Sequence, residues 1–126
     1  MAGHAVIVAG FGFRSGVSEG SFADALAKAG GRSPACIATA AAKADDPALQ
    51  AFAAARGLAV EAVDNAALAR QDTRTRSEAS QAAHGTGSVA EAAALAAAGP
   101  GARLLGSRVV STDRRATCAL AEGGTT

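Results

Sequence analysis

Val6-Ile7-Val8-Ala9-Gly10-Phe11-Gly12-Phe13-Arg14-Ser15-Gly16 begins as an apolar, β-branched run and turns glycine-rich. The run from His4 to Ala9 reads as a buried strand, and Gly10 to Gly16 as the loop that leaves it. Ser18 then caps a helix to Ala29, stopped by Gly30-Gly31, with Phe22, Ala25, Leu26 and Ala29 on one face. Ala35 to Thr39, centred on Cys36-Ile37, is a second strand. Asp46 caps the next helix. Pro47 stands at its first position, where a missing N–H costs nothing, and Gly57 ends it after Arg56. Leu58 to Val63 is a third strand and Asn65 to Arg70 a short helix. This alternation predicts a right-handed βαβ core on a parallel sheet.

The second half is less regular. Gln71 to Ser77 is polar and expected to be an exposed loop; Ser77 to Ala83 fits a helix or an irregular segment. Gly85-Thr86-Gly87-Ser88-Val89-Ala90-Glu91 carries a glycine turn and a helix start, with Ser88 and Glu91 at the capping-box spacing. The remaining first-turn N–H groups would face a loop open to an anion, although an ordinary capped helix explains the same residues. That helix runs from Ser88 to Ala98 and stops at Gly99-Pro100-Gly101. Ala102 to Val110 is a fourth strand, Ser111 to Arg114 a hairpin turn, and Arg115 to Ala121 the last strand, with a frayed tail from Glu122 to Thr126. The fold class is α/β, with a mixed, mainly parallel sheet of about five strands and a C-terminal hairpin. In such sheets ligands sit beyond the carboxyl ends of the strands. That rule brings Gly10–Gly16 and Thr39–Asp45 to one edge, joined by Gly85–Ser88 if the capped helix packs alongside.

The 126 residues make one domain, spanning 1–126. Nearly half are apolar, with alanine in excess and four Phe as the only aromatics, so the core is built of small side chains. A net charge of +1 gives no general case for nucleic acid or a membrane surface. The arginines nonetheless gather in the second half. Cys36 and Cys118 lack metal or redox spacing and read as reduced core thiols, which fits the cytosol. The opening residues lack a secretory leader pattern, and no apolar run is long enough to span a bilayer.

The glycine loop invites a dinucleotide reading and fails it. Its third glycine comes one residue late, and Thr39-Ala40 stands where the ribose-binding acid belongs. The G-K-S/T of a P-loop is absent. His84 lacks a second histidine at ligand spacing, since His4 lies at the chain start, and no metal site is expected. Ser18, Ser21, Ser33 and Ser80 have no nucleophile-elbow context, so no catalytic residue is assigned. Lys43 reads as a solvated lysine or as a loop cation beside a helix start. Arg108 and the pair Arg114-Arg115 flank the hairpin, where solvation and ligand binding fit equally well.

Three segments occur in order: G-x-G-x-R-x-G at Gly10–Gly16, T-x-x-x-K-A-D-D-P at Thr39–Pro47, and G-x-x-S-V-A-E-A-A-A-L from Gly85 to Leu95. The set resembles the CobE / CbiG C-terminal family of cobalamin biosynthesis, from about Val6 to Leu120. The region that precedes this domain in CbiG proteins is not in the sequence, so the resemblance is to the stand-alone CobE form. It implies a three-layer α/β/α fold and a cytoplasmic protein that binds a carboxylated precorrin or hydrogenobyrinic-acid-type intermediate of the aerobic pathway. It needs no cofactor and could partner other pathway enzymes. Gly10, Phe11, Gly12, Phe13, Arg14, Ser15, Thr39, Lys43, Asp45, Gly87, Ser88, Glu91 and Arg108 form the expected substrate-binding set. Phe11 and Phe13 would be an apolar shelf, and Arg14, Lys43, Arg108 and the helix end at Ser88 a cationic rim. CbiG proteins are described as hydrolases that open the lactone of a precorrin-5-type intermediate. That activity is the second reading, and a small nucleotide-binding α/β protein the third.

Overall fold

A computed structural model of the chain describes residues 6–30 and 33–123, excluding the side chains of Ala79, Ala83 and His84. His4, Gly31 and the last tail residues, 124–126, lie outside it. The elements run β1 (Ile7–Phe13), α1 (Glu19–Lys28), β2 (Cys36–Ala40), a 3₁₀ turn (Ala41–Lys43), α2 (Pro47–Arg56), β3 (Ala59–Val63), α3 (Asn65–Ala69), α4 (Glu78–His84), α5 (Val89–Ala98), β4 (Arg103–Leu104), β5 (Val109–Val110) and β6 (Ala116–Glu122). The sheet order is β3-β2-β1-β6-β4, with β5 also on β6. The class is α/β, as expected. The sheet has six strands, five in a row and the short β5 beside them on β6, in line with the expected number. It is parallel across β1, β2 and β3 and antiparallel wherever β6 pairs, so two of its five strand pairings are parallel rather than most.

Side-chain alternation along β1 divides the molecule into three layers. Ala9 and Phe11 face one core with Phe22 of α1, Phe52 of α2 and Leu120 of β6. Phe11 meets Phe22 edge-on at 5.2 Å and Phe52 at 5.8 Å. Val8 points the other way, onto α5 together with Ala38, Val63 and Leu68. Gly10 also lies on that face. A Cβ there would collide with Ala90 O and come within 2.6 Å of Ala94 N, so the bare glycine lets α5 lie directly on the strand.

Two boundaries and one burial differ from the sequence expectation. Gly10 to Phe13 is strand, not loop, because these residues pair with Ala119 to Ala116 of β6. The strand expected from Ala102 to Val110 is broken in two. Leu104 pairs with Ala121 and Val109 with Cys118, so residues 105–108 bulge against two residues of β6. The polar segment 71–77 is a loop, but Thr73 within it is buried. The helix caps follow the sequence closely. Ser18 and Ser21 form a capping box, Asp46 Oδ1 accepts from Ala48 and Leu49 N–H, and Gly57 ends α2 at φ 67°. Ser77 caps α4, which settles the undecided segment as helix. Gly123 is tied by its N–H to Val6 O at 2.7 Å, so the chain is still held just past β6.

Candidate functional site

Beyond the carboxyl ends of β1 and β2 lies an open cleft of about 310 Å³. It is bordered by the last residues of β1, the turn after β2, the first residues of α4 and α5, and the β5–β6 hairpin. Arg14, Lys43, Arg108, Arg114 and Arg115 line it, and among the described residues no aspartate or glutamate does. Among the described residues, none of these five cations forms an ion pair within 4.0 Å.

Local structure sets the backbone position of each cation, and side-chain bonds hold Lys43 and Arg115. Lys43 ends the 3₁₀ turn; its Nζ donates to Phe13 O at 2.5 Å and sits 5.0 Å from the centre of the Phe13 ring. Arg14 N–H donates to Arg115 O at 3.0 Å, which joins the end of β1 to the hairpin. Arg115 Nη1 donates to Ser15 O at 3.1 Å. Arg114 holds φ 63°, the left-handed turn conformation rare for a residue with a side chain. Arg108 closes the 105–108 bulge. The floor is the sheet itself: Thr39 Oγ1 donates to Phe11 O at 2.8 Å and Thr117 Oγ1 to Gly12 O at 3.2 Å.

The hairpin is pinned to α1 by two aspartates. Asp113 accepts from the Ser111 and Ser21 hydroxyls, both at 2.5 Å, and from Arg115 N–H at 3.1 Å. These bonds, led by Ser111, pull its carboxyl down to about 2. Asp24 accepts from Thr112 N–H at 2.6 Å, which holds its carboxyl below the usual range. Both thiols are raised by burial, Cys118 to about 12, and among the described residues no cluster suits a metal.

Of the residues expected from sequence, Gly12, Phe13, Arg14, Thr39, Lys43 and Arg108 meet at this cleft. Others lie elsewhere. Gly10 is under α5 and Phe11 is fully buried in the opposite core; of the expected shelf, Phe13 borders the cleft, its ring edge-on to Phe22 at 5.1 Å and beneath Lys43 Nζ. Ser15 contributes its carbonyl to Arg115. Asp45 is exposed and outside the lining. Gly87 packs against the 73–76 loop, where a Cβ would meet Thr73 Oγ1 at 2.8 Å. Ser88 and Glu91 are 0 % exposed. Ser88 caps α5 through Glu91 N–H, but Glu91 does not reach back to Ser88; its carboxylate turns to Arg74, Thr75 and Arg108. The α5 start is therefore closed by an internal carboxylate, and only Val89 reaches the cleft. The His84 side chain lies outside the description. Arg114 and Arg115, which the sequence fits equally to solvent or ligand, and Ser77 and Thr117, which carry no motif, also line the cleft; the adjacent arginines at a hairpin tip are the available sequence signal.

The chain matches the family described as cobalamin synthesis G C-terminus over residues 7–121. A search of curated protein sequences finds no match. Among solved structures it is similar to CobE, a protein from the cobalamin (vitamin B12) biosynthetic pathway. The two share 31% identity and a TM-score of 0.84 over 100% of this chain and 96% of that one. It is similar to the cobalamin biosynthesis protein chiG of Agrobacterium tumefaciens at 37% identity and a TM-score of 0.72, covering 94% of this chain and 99% of that one. A cobalamin biosynthesis protein G homolog from Sulfolobus solfataricus shares the fold at 19% identity and a TM-score of 0.70, over 95% of this chain and 37% of that one. The family match and the two closer structures agree with the ordered motifs and the three-layer fold: the chain belongs to the CobE/CbiG C-terminal family of cobalamin biosynthesis.

Proposed function

We propose that this cobalamin biosynthesis protein binds a carboxylated corrin-ring intermediate of the aerobic pathway, in the cytoplasm, through the cleft at the ends of β1 and β2. The observation that carries the reading is the convergence of five cations on a cleft with no lining carboxylate. Guanidinium and ammonium groups make their strongest hydrogen bonds to carboxylates, and a corrinoid of this type carries several around its edge. At about 310 Å³ the cleft is at the small end of ligand sites and suits one edge of the macrocycle, with the rest of the ring outside. Phe13, under the Lys43 ammonium, supplies the apolar contact for that edge. An arrangement that grips carboxylates and leaves most of the ring free suits binding or hand-over to a next enzyme better than enclosure.

The test is an absorbance titration of hydrogenobyrinic acid with the purified chain. Binding should shift the corrinoid spectrum and carry the colour with the protein through gel filtration. An unchanged spectrum with no co-elution at high protein concentration would rule the reading out. Consumption of a lactone-bearing precorrin in the same mixture would replace it with the hydrolase reading. A clear calorimetric isotherm with NAD(P) or ATP would favour the nucleotide reading.

A further inference from the structure

Glu91 is fully buried, and no described side chain offers it a counter-charge within 4.0 Å. Its Oε1 accepts from Arg74 N–H at 2.6 Å and Thr75 N–H at 2.8 Å; its Oε2 accepts from the Thr75 hydroxyl at 2.5 Å and Arg108 N–H at 2.8 Å. Burial alone pushes such a carboxyl up, but the four bonds, led by the Thr75 hydroxyl, hold it below the ordinary glutamate range, so it is a carboxylate in the fold. Two chain segments are thereby tied to the first turn of α5. One is the 74–75 loop. The other is the 105–108 bulge, where the sheet ladder is interrupted, since β4 ends at Leu104 and β5 begins at Val109. Only the bulge brings a cation to the cleft.

We propose that Glu91 is a positioning residue for ligand binding: by accepting the Arg108 N–H it fixes the bulge so that the Arg108 side chain lines the cleft. The claim rests on the reading of that cleft as the corrinoid carboxylate site. Its chemistry makes a sharp distinction between a carboxylate and an amide. In Glu91→Gln, the amide oxygen can keep the two N–H donors of Arg74 and Thr75, and the amide nitrogen can donate to the Thr75 hydroxyl. The Arg108 N–H then faces another donor and loses its acceptor. The substitution thus spares one segment and frees the other.

Hydrogenobyrinic acid is titrated into the unmodified chain, E91Q, R108A and the double variant. E91Q should weaken binding about tenfold, close to R108A, and the double variant should be no weaker than R108A alone. Additive losses, or full affinity in E91Q, would overturn the proposal. Amide hydrogen exchange is read on the same samples: E91Q should lose protection at Arg108 and keep it at Arg74 and Thr75. Unchanged protection at Arg108 overturns the proposal even if the unmodified chain binds no corrinoid, a result that would sink the function reading separately. If E91Q does not fold, the unmodified chain decides. A through-hydrogen-bond NMR coupling from Arg108 N to the Glu91 carboxyl carbon should be present, and its absence overturns the proposal.

Discussion

Gly10 and Gly20 show how differently one residue type can be used. Gly10 sits where a Cβ would strike the α5 backbone, whereas a Cβ on Gly20, in the first turn of α1, would meet only Ser18 Oγ at 3.6 Å. Gly10→Ala forces a helix off a strand and should cost about 3 kcal/mol or prevent folding. Gly20→Ala should be neutral or stabilise by up to about 1 kcal/mol, because alanine loses less backbone freedom. Thermal unfolding of the two variants separates them; equal midpoints would mean that α5 does not rest on Gly10. Asp113 makes a prediction about pH. Its carboxyl is about 2 in the fold against an ordinary aspartate value of 3.8, so the folded state binds this proton less tightly than the unfolded chain. The stability it contributes is therefore fully present above about pH 4 and lost as pH falls toward about 2. Asp113→Asn should remove that part of the acid dependence in urea unfolding measured across this window. An unchanged slope would show that the Ser21 and Ser111 bonds do not form in solution.

The elements of the first half were legible because each boundary has a local cause. Asp46-Pro47 and Gly57 mark α2 by a cap, a fixed φ and a left-handed stop, and the helix has those bounds. Asp46→Ala removes the acceptor of two first-turn N–H groups and should cost about 1 kcal/mol, read by chemical denaturation; a loss near zero would mean that water caps the helix equally well. The errors arose where a distant partner sets the outcome. Gly-Phe-Gly-Phe looks like a loop by composition, yet it is strand because β6 pairs along it and α5 needs its bare face. Ala102 to Val110 reads as one strand, yet Glu91 takes the N–H of Arg108, the residue just before β5. The capping-box spacing of Ser88 and Glu91 was real, but a buried carboxylate with four donors from other segments gains more there than from one N–H at the helix start. For the same reason the cleft was only half legible. Arg14 and Lys43 follow strand ends and Thr39 stands one residue before the end of β2, so these three could be placed by rule; Arg114 and Arg115 arrive through the antiparallel return of β6, which strand alternation does not indicate.

At the scale of the whole molecule, a chain of net charge +1 gathers five of its cations around one opening. Asp24, Asp113 and Glu91, the acids that support this rim, accept hydrogen bonds behind it and do not line it. The near-neutral total thus conceals a local field of one sign, and binding of a polyanionic ring should depend on ionic strength far more than the overall charge suggests. The screening length is about 10 Å at 0.1 M salt and about 3 Å at 1 M, so the rim acts collectively in the first condition and only by contact in the second. Affinity for hydrogenobyrinic acid should fall at least about tenfold between these salt concentrations. Individual contributions are best read from Arg14→Ala and Arg114→Ala, because both side chains are exposed and Arg14's recorded structural bond comes from its backbone. Each should weaken binding about tenfold to a hundredfold, the value of one charge-assisted hydrogen bond. Lys43→Ala should cost affinity and also stability, since Nζ holds Phe13 O. Arg56 stacks on Phe52, where it borders a separate hollow of about 230 Å³. Arg56→Ala removes the same charge from the molecule and should leave affinity within about twofold. The comparison therefore distinguishes a site from a net-charge effect. If Arg56→Ala weakens binding as much as Arg14→Ala at equal salt, the ligand responds to total charge and the cleft is not where it sits.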